Sequence, residues 1–146
     1  MDEVCNQVPE KALCFEILKN DSCSLSGKLE DFAKRAVEVA VNNATGLPDF
    51  VKSLANNATR PIIKSRILRC VQNTEDAFNY IKKAKQLVQT HQYGPANNMA
   101  SLASVALSDC DNNFWKPPAQ PIQLKRATYG LRALVVIVCV FTNDLG

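Results

Sequence analysis

Residues 61–94 read PIIKSRILRCVQNTEDAFNYIKKAKQLVQTHQYG. Apolar or small side chains recur at Ile63, Ile67, Cys70, Thr74, Ala77, Ile81, Ala84 and Val88, in steps that alternate between four and three. That is the seam of a helix in a bundle. The opposite face carries Gln72, Glu75, Asp76, Asn79, Lys82 and Lys83, as expected of a helix with one dry and one wet side. Thr59 offers a hydroxyl as N-cap, and Pro61 sits in the first turn, where a missing N–H is harmless. The helix ends at the turn His91-Gln92-Tyr93-Gly94, and position 90, beside it, is the midpoint of Cys70 and Cys110. If the flanking segments are antiparallel helices with equal rise per residue, these two cysteines come level across the pair.

Working outward, Pro95 starts a third bundle helix with Met99, Leu102, Ala103, Ala106 and Cys110 inward. Trp115-Lys116-Pro117-Pro118 ends it. Upstream, Ser24 to Asn43 repeats apolar residues at Leu25, Leu29, Phe32, Ala33, Ala36, Val39 and Ala40. Gly46-Leu47-Pro48 interrupts that period, and Asp49 to Asn57 resumes it with Phe50, Val51 and Leu54, giving one long helix bent at 46–48. The last segment runs from Pro121 through Leu124, Ala127, Leu131, Leu134, Val135, Val138 and Phe141. Residues 135–140 are largely β-branched and would suit a buried strand on propensity alone. The length of the periodic segment and the lack of a partner strand favour a helix. Residues 2–20 read as one or two short helices interrupted at Val8-Pro9 and folded back by a loop between Cys5 and Cys14. The expected fold is all-α: an up-down-up-down four-helix bundle with an N-terminal helical hairpin, disulfide-bonded. One domain spans 1–146, with the hairpin at 1–22 and the bundle at 23–146.

Hydrophobic residues make up 47% of the 146 and charged ones 21%, a globular balance. The net charge of +3 is too small to argue for nucleic acid. The clusters Lys64/Arg66/Arg69, Lys82/Lys83/Lys85 and Lys125/Arg126 read as solvated helix faces. Six cysteines without a C-x-x-C pair, and with His91 as the only histidine, do not form a zinc pattern. An even count in this arrangement indicates disulfides, hence an oxidising compartment, rather than six unrelated buried thiols. The acidic opening Met1-Asp2-Glu3 is not a signal peptide, so the chain reads as a mature form with an added Met1. Asn20, Asn43 and Asn57 head N-glycosylation sequons. The apolar run Leu131 to Phe141, broken by Arg132, is too short to span a bilayer, so no membrane partner is expected.

Catalysis needs a nucleophile with a base, or paired carboxylates in a cleft. His91 sits in a turn beside no predicted acid, Glu75 and Asp76 point to different angles of one helix, and no Gly-rich phosphate loop occurs. No cofactor or metal is expected. The chain reads as a binding protein, with a helical carrier of small apolar ligands as the rival class.

The spacing of Cys5-Asn-Gln-Val-Pro-Glu-Lys-Ala-Leu-Cys14 resembles the opening of the plant invertase and pectin methylesterase inhibitors. So do Cys70 followed by Asp76-Ala77 on a helix, the Tyr93 turn, Cys110-Asp111 with Phe114, and an apolar closing helix. The resemblance implies the pairs Cys5–Cys14 and Cys70–Cys110, and a protein that blocks a cell-wall enzyme by covering its substrate cleft. Thr74 stands where the family commonly has an aromatic residue, and near Val105 a frequent acidic residue is absent. Tyr93-Gly-Pro-Ala-Asn97 lacks the Pro-Lys-Phe motif of many invertase inhibitors, which leans towards the methylesterase branch. The implied partner is therefore a pectin methylesterase, bound one-to-one by an inhibitor that is monomeric when free and secreted to the cell wall or apoplast. An acid invertase is the alternative partner, and a detached pro-region of a larger pectin methylesterase is a third possibility. Cys23 and Cys139 are additions to the four-cysteine pattern and sit near the same end of the bundle, where a third bridge is geometrically possible. The alternative, favoured because the Cβ directions must also match, is a buried apolar thiol at Cys139 and a free or partly exposed one at Cys23. The expected partner-binding face is Gln72, Glu75, Asp76, Asn79 and Lys83, joined by Asn97, Asn98, Ser101 and Ser104 from the next helix.

Overall fold

The computed structural model describes residues 5–18 and 28–146. Its helices are α1 (Lys11–Leu18), α2 (Leu29–Thr45), α3 (Leu47–Asn57), α4 (Pro61–Gln89), α5 (Tyr93–Asn112) and α6 (Ile122–Leu145), with no strand among the described residues. Leu25 of the expected first helix lies outside them.

Along α4 the buried side chains are Ile67, Cys70, Thr74, Ala77, Ile81, Ala84 and Val88. This is the alternating seam, less Ile63, which is half-buried in the first turn. Thr59 does not cap the helix: the N-cap is Arg60, extended at φ −86° and ψ 123°, with no side-chain capping bond. Proline disfavours helical geometry in the residue before it, so Pro61 itself fixes where the helix starts.

The long first helix is bent, as its interruption required. Gly46 stays right-handed at φ −94° and ψ −1° between α2 and α3, and Phe50 N–H still reaches the Gly46 carbonyl at 3.1 Å. The bend re-phases the inner face. Val51 and Ala55 are buried whereas Phe50 is exposed, and in α2 it is Val37 rather than Val39 that is fully enclosed. In α5 the seam is Ala96, Ala100, Ala103, Ala106, Leu107 and Cys110. Leu102, expected inward, is exposed, because it lies about 100° round from Ala103. The alanines let α5 approach α4 closely, with 4.7 Å between the Cα atoms of Cys70 and Cys110. The β-branched residues 135–140 are helical within α6, whose buried positions repeat by three and four and include Thr128 where Ala127 was expected.

Helix α4 packs on α2, α3 and α5, while α6 packs on α2 and α5. Sequence neighbours are thus spatial neighbours around a square, the up-down-up-down arrangement. Cys5, Val8, Cys14 and Ile17 of the N-terminal segment join the same core. Disulfides link Cys5 to Cys14 and Cys70 to Cys110. The segment is also held by hydrogen bonds from Tyr129 to Glu10 and from Gln7 Nε2 to Asp144 Oδ2 at 3.4 Å. The third bridge is not formed: Cys139 keeps a free thiol turned towards α5, 3.9 Å from Ser101 Oγ. Cys23 and the sequon residue Asn20 lie outside the described residues.

Candidate functional site

On α4, Gln72, Glu75, Asp76, Asn79 and Lys83 lie opposite the seam, all exposed except half-buried Asp76. The stripe runs about 16 Å along the axis at 1.5 Å per residue. Gln72 Nε2 donates to Asp76 Oδ1 at 3.0 Å, an i,i+4 contact that orients the carboxylate and occupies one of its oxygens. Nothing in the core uses these side chains, so they are available to a partner.

The α5 residues expected to join them divide between two flanks. Asn97 Nδ2 donates to the Cys139 carbonyl at 2.7 Å and to Thr142 Oγ1 at 3.1 Å, and Ser101 faces the Cys139 sulfur. Both therefore lie on the α6 side of α5, away from the α4 stripe. Ser104 is half-buried and Asn98 exposed. The α4 side of α5 is marked by Asn113, whose Nδ2 reaches Asn73 Oδ1 at 3.3 Å. Leu102 lies three turns before Asn113 on the same flank, and with Val105 it adds two exposed apolar side chains to the outer surface of α5. Asn97 is thus a fastener between α5 and α6. Asn97→Ala is expected to destabilise the fold by about 0.5–1.5 kcal/mol, the net value of a typical hydrogen bond, since the Cys139 carbonyl keeps the Thr142 hydroxyl at 3.2 Å. Urea titration measures this loss.

The titrating groups near these helices play structural parts. Burial pushes the Cys139 thiol upward, with the Ser101 hydroxyl pulling slightly the other way. Partial burial raises the Tyr93 phenol, and the Glu30 and Asp31 carboxylates add to it. His91, at φ 59°, places Nδ1 2.9 Å from the Tyr93 hydroxyl and closes the α4–α5 turn. No group of three metal-ligating side chains gathers among the described residues, and no described helix is long and apolar enough to cross a membrane.

The family model for plant invertase/pectin methylesterase inhibitors matches residues 1–135. The chain belongs to this family. A pectinesterase inhibitor from Actinidia deliciosa is 32% identical over 145 residues, covering 99% of this chain and 78% of that protein. Two solved structures share the fold. A mutant form of a pectin methylesterase inhibitor from Arabidopsis gives a TM-score of 0.84 at 18% identity, over 98% of this chain and 95% of the other. A pectin methylesterase inhibitor from Arabidopsis thaliana gives 0.76 at 19% identity, over 100% and 95%.

One residue of this inhibitor-family bundle, quoted above only for the resemblance, has an organising role that was not read from the sequence. Asp111 Oδ1 accepts from Gln120 Nε2 at 3.0 Å and Thr128 Oγ1 at 2.9 Å, and Oδ2 accepts from Arg132 Nη1 at 3.0 Å. It ties the α5–α6 connection to α6. Arg132, alone in an apolar run, was the visible sign that a carboxylate had to be near.

Proposed function

We propose that this protein inhibits a pectin methylesterase by binding it one-to-one and covering its substrate cleft. The similarity to the Actinidia deliciosa pectinesterase inhibitor, extending over 99% of this chain, carries the reading. Acid invertase is the second reading, because the family model is described by both enzymes. Titrating the protein into assays of each enzyme decides between them: one-to-one suppression of pectin methylesterase turnover is expected, with invertase unaffected. The free protein is a monomer secreted to the cell wall, and exposed Asn43 and Asn57 are its accessible sequons.

The α4 stripe is the contact surface in this reading, supported by its exposure and by its independence from the core. A carboxylate desolvated against a partner's cation is expensive to truncate, whereas rim charges contribute little. Asp76→Ala combined with Asn79→Ala is expected to weaken inhibition by about tenfold or more, equivalent to about 1.4 kcal/mol. Lys34 and Glu38 lie on α2, and substitutions there are expected to change inhibition far less. Full potency in the double variant with unchanged circular dichroism would exclude the α4 surface.

A further inference from the structure

Residues 57–69 and 112–126 meet at one end of the bundle, where α3 gives way to α4 and α5 to α6. They hold seven of the chain's 17 Lys and Arg residues and none of its 14 Asp and Glu. The rest of the chain therefore carries ten cations against fourteen carboxylates, so the small net charge hides a strong polarity. Arg60, Lys64, Arg69, Lys116, Lys125 and Arg126 are exposed. None of them forms an ion pair among the described residues. The nearby Asp111 is already paired with Arg132.

This distribution works against stability. Cations at the first turn of a helix oppose its macrodipole, yet Arg60 precedes α4, Lys64 and Lys125 lie in the first turns of α4 and α6, and neither helix has an acidic residue in its first turn. An ordinary solvated face mixes signs and gains from i,i+4 pairs. The end also carries a prepared aromatic. Arg66 Nη1 donates to the carbonyls of Lys116 at 2.7 Å and Pro118 at 2.9 Å, and its guanidinium lies 5.8 Å from the Phe114 ring centroid. With the loop so clamped, Trp115 projects outward, 76% exposed, beside Lys116 Nζ at 4.4 Å from its centroid. Ile122, Lys125, Arg126 and Tyr129 line a shallow groove on α6.

We propose that this end of the bundle binds an anionic polysaccharide, a polyuronate chain. Its carboxylates would meet the Lys and Arg side chains, which form charge-assisted bonds with such groups. One sugar ring would lie on the indole of Trp115, whose flat apolar face and N–H suit a pyranose with its C–H face and hydroxyl edge. Disulfide bonding places the chain in an oxidising compartment, where such polymers rather than nucleic acids are the polyanions at hand. The surface is distinct from the middle of α4, so the inference goes beyond the inhibitor reading.

Trp115 is the only tryptophan, so its emission reads the site directly. Titrating the protein with a polygalacturonate oligomer at low ionic strength is expected to change that emission saturably. Raising salt from about 50 to about 200 mM should weaken binding by about tenfold or more, through counterion release. Lys125→Gln with Arg126→Gln should lower affinity by about tenfold or more on the same ground, whereas Lys82→Gln with Lys85→Gln on α4 should leave it unchanged. Retardation in a gel containing the polymer extends the test to Trp115→Phe, which should migrate more freely than the parent protein. The proposal is overturned by unaltered emission and migration, by equal binding of a fully methyl-esterified neutral polymer, by equal loss in the α4 control, or by tighter binding of single-stranded DNA. No esterase is present in these measurements, so this proposal and the inhibitor reading can fail separately.

Discussion

Phe141→Ala is expected to lower the free energy of unfolding by about 3–5 kcal/mol, the usual consequence of deleting an enclosed aromatic ring. Phe141 is fully buried on α6, and its ring lies 6.3 Å from that of Phe32 on α2, tilted by 37°. The two rings fill the contact between the first and last bundle helices. Removing one loses its transfer energy and leaves a void that helices fastened on either side cannot close. A domain of this size typically has about 5–15 kcal/mol in total, so the loss is a large share of the whole. Phe141→Leu keeps most of the volume and should cost about 1.5 kcal/mol or less. Urea denaturation of the three proteins gives the comparison. A loss under about 1 kcal/mol for the alanine variant would show that this contact is not central to the core.

Replacing both Cys70 and Cys110 by alanine is expected to destabilise the protein by about 4 kcal/mol, through release of the unfolded chain from a loop of about 40 residues. The bridge spans a sequence separation of 40, and both cysteines are fully buried. The corresponding estimate for the Cys5–Cys14 loop is about 3 kcal/mol, acting on the N-terminal segment. Because the main effect lies in the unfolded state, helix content at room temperature should be nearly unchanged while the denaturation midpoint falls. Inhibition measured well below the midpoint should persist, since α4 and α5 remain packed along their alanine seam. Loss of helicity in the folded variant would mean that the bridge creates the α4–α5 contact rather than securing it.

The bundle was legible because its period is carried by side chains with no other use. The α4 seam, the bend at Gly46 and the closing helix all follow from spacing and proline placement. The misplacements are local and share a cause: a helical period locates a face only to within about one residue, or 100°. Leu102 and Phe50 were assigned inward on hydrophobicity, but small alanines set the α5 seam and the bend rotated α3. The α4 stripe could be read as a polar face, and its Gln72–Asp76 contact follows from four-residue spacing. The division of Asn97 and Ser101 from Asn98 could not be read, because it depends on which flank of α5 meets α6. Asp111 drew attention only through a family resemblance, since a carboxylate that organises a loop looks like any other charge until its three donors converge.

The two disulfides follow one another along the chain without overlapping, Cys5 with Cys14 and Cys70 with Cys110. Both members of the first pair are made before residue 70. The second joins two helices adjacent in sequence. The two loops share no residue, so either bridge can be opened and reclosed without undoing the other, and the slow resolution of interlocked connectivities does not arise. Cys139 is made last and lies against α5 in the folded chain. Each bridge in this bundle can be repaired on its own.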